Sequence, residues 1–238
     1  MPASAEPLRL PRLYGIADMA FLRRTQDLLA FAAELISAGC LLLQYRNKSG
    51  NARMMLEQAR ELRRLFPKAQ NPHLWQNRKD PSIPLRERAG RPSGDNSVRL
   101  IMNDRADLCL AAEFDGVHVG QEDLSPQAVR AIIGPDGWLG VSTHNPEQLC
   151  EADLTSADYL AIGPVFATSS KEKPDPVVGL DGVRRARALT RKPLVAIGGI
   201  TRANAASVIE AGADSVAVIS DLLQEPGKSA EEFFRILR

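Results

Sequence analysis

Residues 99–142 read RLIMNDRADLCLAAEFDGVHVGQEDLSPQAVRAIIGPDGWLGVS, and in them three short apolar runs, Arg99 to Asn103, Gly116 to Val119 and Trp138 to Ser142, are separated by longer helical segments. Runs this short, bounded by Asp, Gly and Pro, have the length of strands. The same rhythm extends both ways, with Leu13 to Ala17 and Leu41 to Tyr45 before it, and Tyr159 to Gly163, Leu194 to Ile197 and Ser215 to Ile219 after it. Between the first two lies Asp27 to Ala38, whose Leu28, Leu29, Phe31, Ala32, Leu35 and Ile36 form one stripe at helical spacing. Eight strands alternating with helices imply parallel pairing through right-handed crossovers. The expected architecture is therefore a closed (β/α)8 barrel, a TIM barrel. An open doubly wound sheet is the alternative.

A length of 238 residues suits one such domain, and residues 1–238 are read as a single unit. With 44% hydrophobic and 25% charged residues, the chain has the composition of a protein with a core. A formal charge of +1 supplies no global field for nucleic acid or an anionic membrane, which points to small-molecule partners. No run approaches the roughly 20 apolar residues that span a bilayer. The N-terminal MPASAEPLRLPRLYG holds no apolar segment of signal-peptide length, so a cytoplasmic location is expected. Cys40, Cys109 and Cys150 are odd in number, widely spaced and without a CxxC pair, which reads as buried free thiols. A homo-oligomer is compatible with the sequence, which is otherwise silent on assembly.

One segment breaks the rhythm. From Pro67 to Ser97 proline, arginine, asparagine and glycine are frequent and no hydrophobic period survives. It reads as a flexible insertion between the second helix and the third strand, on the N-terminal face of a barrel and away from the loops that build active sites. It is expected to be chemically idle, although Leu74 and Trp75 could dock elsewhere.

In a barrel, polar residues just after strand ends converge on one face. Strand two runs into Gln44, Tyr45, Arg46, Asn47 and Lys48, where Gln44, Arg46 and Lys48 share one side. Two cations at a barrel mouth suit an entering phosphate or pyrophosphate. Asn103 and Asp104 end strand three, and Gln121, Glu122 and Asp123 follow strand four. Asp104 and Asp123 beside a diphosphate suit Mg2+, which takes one or two carboxylates, substrate oxygens and waters. Singly, each aspartate could instead cap the next helix. Ser142, Thr143, His144 and Asn145 follow strand five, and the longer loop after strand six, a candidate lid, carries Thr168 and Lys171. Gly198 and Gly199 at the tip of strand seven, with Ile219 and Ser220 after strand eight, fit a phosphate cradle, although a GG pair can also serve only a tight turn. His118 reads as a hydrogen-bonded interior residue, and His144 as a less favoured acid/base group; His73 falls in the insertion. Ser142 and His144 lack the orienting group and nucleophile elbow of a hydrolase.

The ordered motifs YGIAD, QYRNK, NDRADL, DGVHVGQEDL, GVSTHN, GPVFATSSK, PLVAIGGI and AGADSVAVIS resemble thiamine phosphate synthases, from Leu13 to about Leu223 with Pro67 to Ser97 left out. The resemblance implies condensation of a pyrimidine methyl diphosphate with a thiazole phosphate, giving thiamine monophosphate and pyrophosphate. It gives Gln44, Arg46, Lys48, Asn103, Ser142 and Lys171 to the pyrimidine diphosphate, with Arg46, Lys48, Ser142 and Lys171 as the catalytic set. It gives Asp104 and Asp123 to magnesium, and Thr168, Gly199, Ile219 and Ser220 to the thiazole phosphate. Tyr45, Asn47 and Ser170 depart from the family pattern but spare the charged positions. The rivals are a thiazole tautomerase, in which His144 would be central, and a noncatalytic phosphate-ligand sensor, which would leave Asp104 and Asp123 unexplained.

Overall fold

The computed structural model describes residues 8–68, 97–168 and 175–238. The strands are β1 (Leu13–Asp18), β2 (Leu42–Arg46), β3 (Arg99–Asn103), β4 (Gly116–Val119), β5 (Trp138–Thr143), β6 (Tyr159–Ile162), β7 (Leu194–Ile197) and β8 (Ser215–Val218). They pair in parallel in sequence order, and β8 returns to β1, closing the barrel. The open-sheet alternative is thereby excluded.

Around the barrel run α1 (Met19–Leu22), α2 (Thr25–Ser37), α3 (Ala52–Leu65), α4 (Ala106–Ala111), α5 (Pro126–Ile133), α6 (Pro146–Asp153), α7 (Gly179–Leu189), α8 (Ala205–Glu210) and α9 (Pro226–Ile236), with a 3-10 turn at Ser220–Leu222. The stripe expected between the first two strands is α2, which buries Leu28, Phe31, Ala32 and Leu35. Asn51, Ser125 and Asn145 cap α3, α5 and α6 by accepting from Met54, Ala128 and Gln148 backbone N–H groups.

Strand alternation divides the apolar residues between two cores. Outward-facing Leu43, Leu100, Val117, Leu139, Leu160, Leu194 and Val216 pack with helix residues such as Leu35, Leu62, Val129, Leu149, Val183, Val208 and Phe233. Inside the barrel Tyr14, Ile16, Leu42, Ile101, Trp138, Tyr159, Val195 and Ala217 form a second cluster. Above that apolar layer, the same inward register carries Asp18, Gln44, Arg46, Asn103, His118 and Ser142 towards the C-terminal ends of the strands.

At the opposite face, one device recurs three times. Asp115, Asp158 and Asp214 stand just before β4, β6 and β8, and the Oδ2 of each accepts from a backbone N–H of the preceding strand, from Leu100, Leu139 and Leu194 respectively, each at 2.8 Å. The same oxygens receive Arg63, Arg130 and Arg187, from α3, α5 and α7, at 2.6, 2.7 and 2.8 Å. Each carboxylate thus ties two strands and a helix together by charge-assisted bonds.

Most of the Pro67 to Ser97 insertion, residues 69–96 with Leu74 and Trp75, lies outside the described residues; its flanks join α3 to β3 at the N-terminal face. Of the cysteines, Cys40 and Cys109 are buried as expected, and burial pushes their thiols up to about 11 and about 12. Cys150 corrects the expectation: it sits on the solvent side of α6 and is exposed.

Candidate active site

β1 and β2 supply the first charged pair of the mouth. Asp18 and Arg46 are register partners on adjacent strands, and Arg46 Nη1 donates to Asp18 Oδ2. Asp18 is only 1% exposed, and its Oδ1 also accepts from Ala20 N at 3.0 Å, capping α1. The motif YGIAD gives Asp18 no role from sequence, and the structure makes it the residue that holds Arg46.

Two positions further along, Lys48 donates to Asp104 Oδ2 on the rim. Asp104 has left-handed backbone (φ 61°), which turns the chain out of β3 while its N–H still bonds His118 O at 2.8 Å. Burial raises the Asp104 carboxyl pKa; Lys48 opposes the rise, and neighbouring Asp123 adds to it. Asp123 Oδ2 accepts from Gly120 N at 2.8 Å. Neither aspartate caps a helix: the N-cap positions of α4 and α5 belong to Arg105 and Ser125. Lys48, Asp104 and Asp123 therefore form one corner. Among the described residues no three His, Cys, Asp or Glu side chains gather as a metal cage. Two adjacent hard oxygen donors, of which only Asp104 is paired with a cation, do fit magnesium, which completes its shell with water and substrate oxygens.

Below the rim a polar chain crosses the interior. Gln44 Nε2 donates to Tyr14 Oη at 2.9 Å, Tyr14 and Tyr159 hydroxyls lie 3.1 Å apart, and Tyr159 Oη is 3.1 Å from His118 Nδ1. His118 Nε2 meets Ser142 Oγ at 2.8 Å. Burial pushes the imidazole down to about 4, with Asp123 partly offsetting the fall, so His118 is neutral at pH 7. The expectation that it is a hydrogen-bonded interior residue is met. Gly140 makes the room: a Cβ there would lie 2.2 Å from Tyr159 Cζ and 2.3 Å from His118 Nδ1. Gln121 Nε2 reaches Ser142 O at 2.6 Å, joining the β4 loop to β5. Asn103, 9% exposed, ends β3 opposite His118.

Tyr45 and Asn47, between the inward residues, point to the helices instead. Both bond Gln58 Oε1 of α3, at 2.5 and 3.0 Å, and Gln58 Nε2 continues to Thr25 Oγ1 of α2 at 3.2 Å. These departures stiffen the backbone that carries Arg46 and Lys48 without entering the mouth.

On the other side, Gly198 and Gly199 have positive φ (99° and 63°). A Cβ on them would lie 2.5 Å from Pro164 Cβ and from Ala167 O respectively, and Phe166 N bonds Gly198 O at 3.0 Å. The glycine pair is thus required by close approach of the β6–α7 loop. Ile219 is half-buried and Ser220 exposed at the end of β8, and Thr168 is half-buried. Lys171 and Ser170 lie outside the described residues. His144 Nδ1 bonds Gly163 O at 2.6 Å and its Nε2 stands 3.5 Å from Asp175, so both its nitrogens face the β6–α7 loop.

The chain matches the family model for thiamine monophosphate synthase over residues 90–222. A thiamine-phosphate synthase of Koribacter versatilis is 52% identical over 98% of this chain and 99% of its own. That of Chloroflexus aurantiacus is 42% identical over 88% and 83%. The chain belongs to the thiamine-phosphate synthase family. The solved thiamine phosphate pyrophosphorylase of Pyrococcus furiosus superposes with a TM-score of 0.73 at 30% identity, covering 95% of each chain. A thiamine-phosphate synthase is a transferase that joins a pyrimidine methyl diphosphate to a thiazole phosphate, and its partners are these small molecules. Among the described residues no helix is long and apolar enough to cross a membrane.

Proposed function

We propose that this chain performs the thiamine-phosphate synthase reaction dissociatively, in the cytoplasm, with the diphosphate held on the β2–β5 side of the mouth and the thiazole phosphate on the β6–β8 side. The observation that carries this division is the joining of Lys48, Asp104 and Asp123 into one corner next to the Arg46–Asp18 pair. Arg46, Lys48, Ser142, Asn103 and, from the β6–α7 loop, Lys171 bind the diphosphate, and Gln44 faces the pyrimidine. Asp104 and Asp123 would hold a magnesium ion, which when bound supplies positive charge to the departing pyrophosphate.

The barrier is charge separation, since an electron-rich aminopyrimidine leaves as a methylene cation once the C–O bond to its diphosphate breaks. Arg46 and Lys48 stabilise the leaving oxygens from fixed positions. The thiazole nitrogen, oriented by its own phosphate on Thr168, Gly199, Ile219 and Ser220, then supplies the electron pair that closes the new C–N bond. Proximity provides much of the remaining acceleration. No protein nucleophile is required, in keeping with a site built of cations, carboxylates and hydroxyl groups.

The test is to mix the purified protein with both substrates, with and without magnesium, and to follow thiamine monophosphate by chromatography. Metal-dependent product is expected, with Asp123→Ala far more damaging than His144→Ala. The reverse ranking would support proton transfer by His144, the tautomerase reading.

A further inference from the structure

The chain Gln44–Tyr14–Tyr159–His118–Ser142 has a direction. The Gln44 amide nitrogen offers no lone pair, so Tyr14 oxygen accepts at 2.9 Å, and the Tyr14 proton goes to its other neighbour, Tyr159 oxygen, at 3.1 Å. Tyr159 in turn donates to His118 Nδ1, which leaves Nε2 as the protonated nitrogen facing Ser142 Oγ at 2.8 Å. With Gln44 so placed, the opposite direction would leave the Tyr14 proton without an acceptor among the described residues, an expensive orphan in a fully buried position.

We infer that Tyr14, Tyr159 and His118 are positioning residues that hold Ser142 as a hydrogen-bond donor: His118 Nε2–H occupies the serine oxygen and turns the hydroxyl proton towards anionic oxygens in the mouth. The inference rests on the reading that Ser142 contacts the diphosphate. Phosphate oxygens only accept, so a serine whose proton was consumed by His118 would repel the ligand it is meant to bind. The neutral ring and the two tyrosines therefore act on the substrate through Ser142. Gly140 belongs to the same device, because any side chain there would push Tyr159 and His118 apart.

Three measurements test this. Long-range 1H–15N NMR of the whole protein reads which nitrogen of His118 carries the proton; its signal is the one that survives His73→Gln and His144→Gln. Protonated Nε2 with bare Nδ1 is expected, and the reverse tautomer overturns the inference. In a double-mutant cycle, Tyr159→Phe should lower kcat/KM about tenfold in the parent but change it less than about twofold in Ser142→Ala. Additive losses would show that Tyr159 acts elsewhere and also overturn it. Titration of inorganic pyrophosphate with magnesium separates the two layers. If Ser142→Ala binds it as the parent does, the diphosphate assignment fails and takes the inference with it. A reversed tautomer together with weakened pyrophosphate binding removes the inference alone.

Discussion

Lys48 donates to the carboxylate of Asp104, so the cation assigned to the diphosphate and the carboxylate assigned to the metal are already partners. The pair is half open to water, with Lys48 54% and Asp104 18% exposed, so its bond is weak enough to exchange for stronger partners. Asp104, half-buried and next to Asp123, gains from any positive charge that replaces Lys48. Lys48→Met should therefore raise the affinity for magnesium alone by up to about fivefold while lowering that for magnesium pyrophosphate by at least about tenfold. Isothermal titration of both ligands checks the opposite signs. Losses in both would mean that Lys48 does not compete with the metal.

Asp18 and Arg46 form the deeper pair, and there the balance differs. Asp18 is almost wholly buried, so removing Arg46 strands a carboxylate rather than exposing one to water. Arg46→Ala should cost about 3 kcal/mol of stability as well as activity. Asp18→Asn keeps the shape and the α1 cap but frees the guanidinium, and should cut kcat/KM about tenfold through lost orientation of Arg46. Urea denaturation and steady-state kinetics separate the two effects; an Asp18→Asn enzyme with parental kcat/KM would remove Asp18 from the machinery.

Asp18 illustrates where sequence reading stopped. The barrel was legible because every strand is a short apolar run between turn residues, and the rim residues because they follow those runs directly. Gln44, Arg46 and Lys48 share a side by simple alternation, and so do Tyr14, Ile16 and Asp18 in YGIAD. What alternation within one strand cannot give is the register between strands, which makes Asp18 the partner of Arg46 and Ile16 that of Gln44, and so brings the Tyr14 hydroxyl within reach of the Gln44 amide. Likewise Asp104 and Asp123 each had a competing role as a helix cap, and only the folded chain shows that Arg105 and Ser125 stand at the cap positions. Composition favours a buried Cys150, because cysteines usually are buried; its place on the outer side of α6 is set by a helix phase that a short segment leaves ambiguous.

The three aspartate clamps on the N-terminal face should contribute to stability in the order of their burial. The Asp115 side chain is 6% exposed, that of Asp158 24% and that of Asp214 46%. Alanine at Asp115 leaves Arg63 and the Leu100 N–H without their carboxylate in a dry setting, an expected loss of about 3–5 kcal/mol. The same change at Asp214 should cost about 1 kcal/mol, since water replaces what is lost. Denaturant midpoints check the ranking, and kcat of the folded Asp214→Ala protein should be unchanged because the clamp lies at the far end of the barrel. An inverted ranking would mean that the strand N–H groups find other partners.

His118 predicts how the metal-free fold responds to acid. Its folded pKa of about 4 lies below the ordinary value of 6.5, so between these limits the unfolded chain binds the extra proton. The stability that comes from burying a neutral imidazole is therefore fully present above about pH 6.5 and is lost as pH falls towards 4, by up to about 3 kcal/mol. Carboxylates titrate in the same window, so the informative quantity is the difference between the parent and His118→Gln, which cannot take the proton. At pH 7.5 the variant should be the less stable, having lost the bonds to Tyr159 and Ser142. At pH 4.5 that gap should narrow by about 2 kcal/mol, because only the parent must unfold to accept a proton. A gap that stays constant across this range would mean that His118 takes up its proton as readily in the folded chain as in the unfolded one, and its bond to Ser142 would then owe nothing to a neutral tautomer.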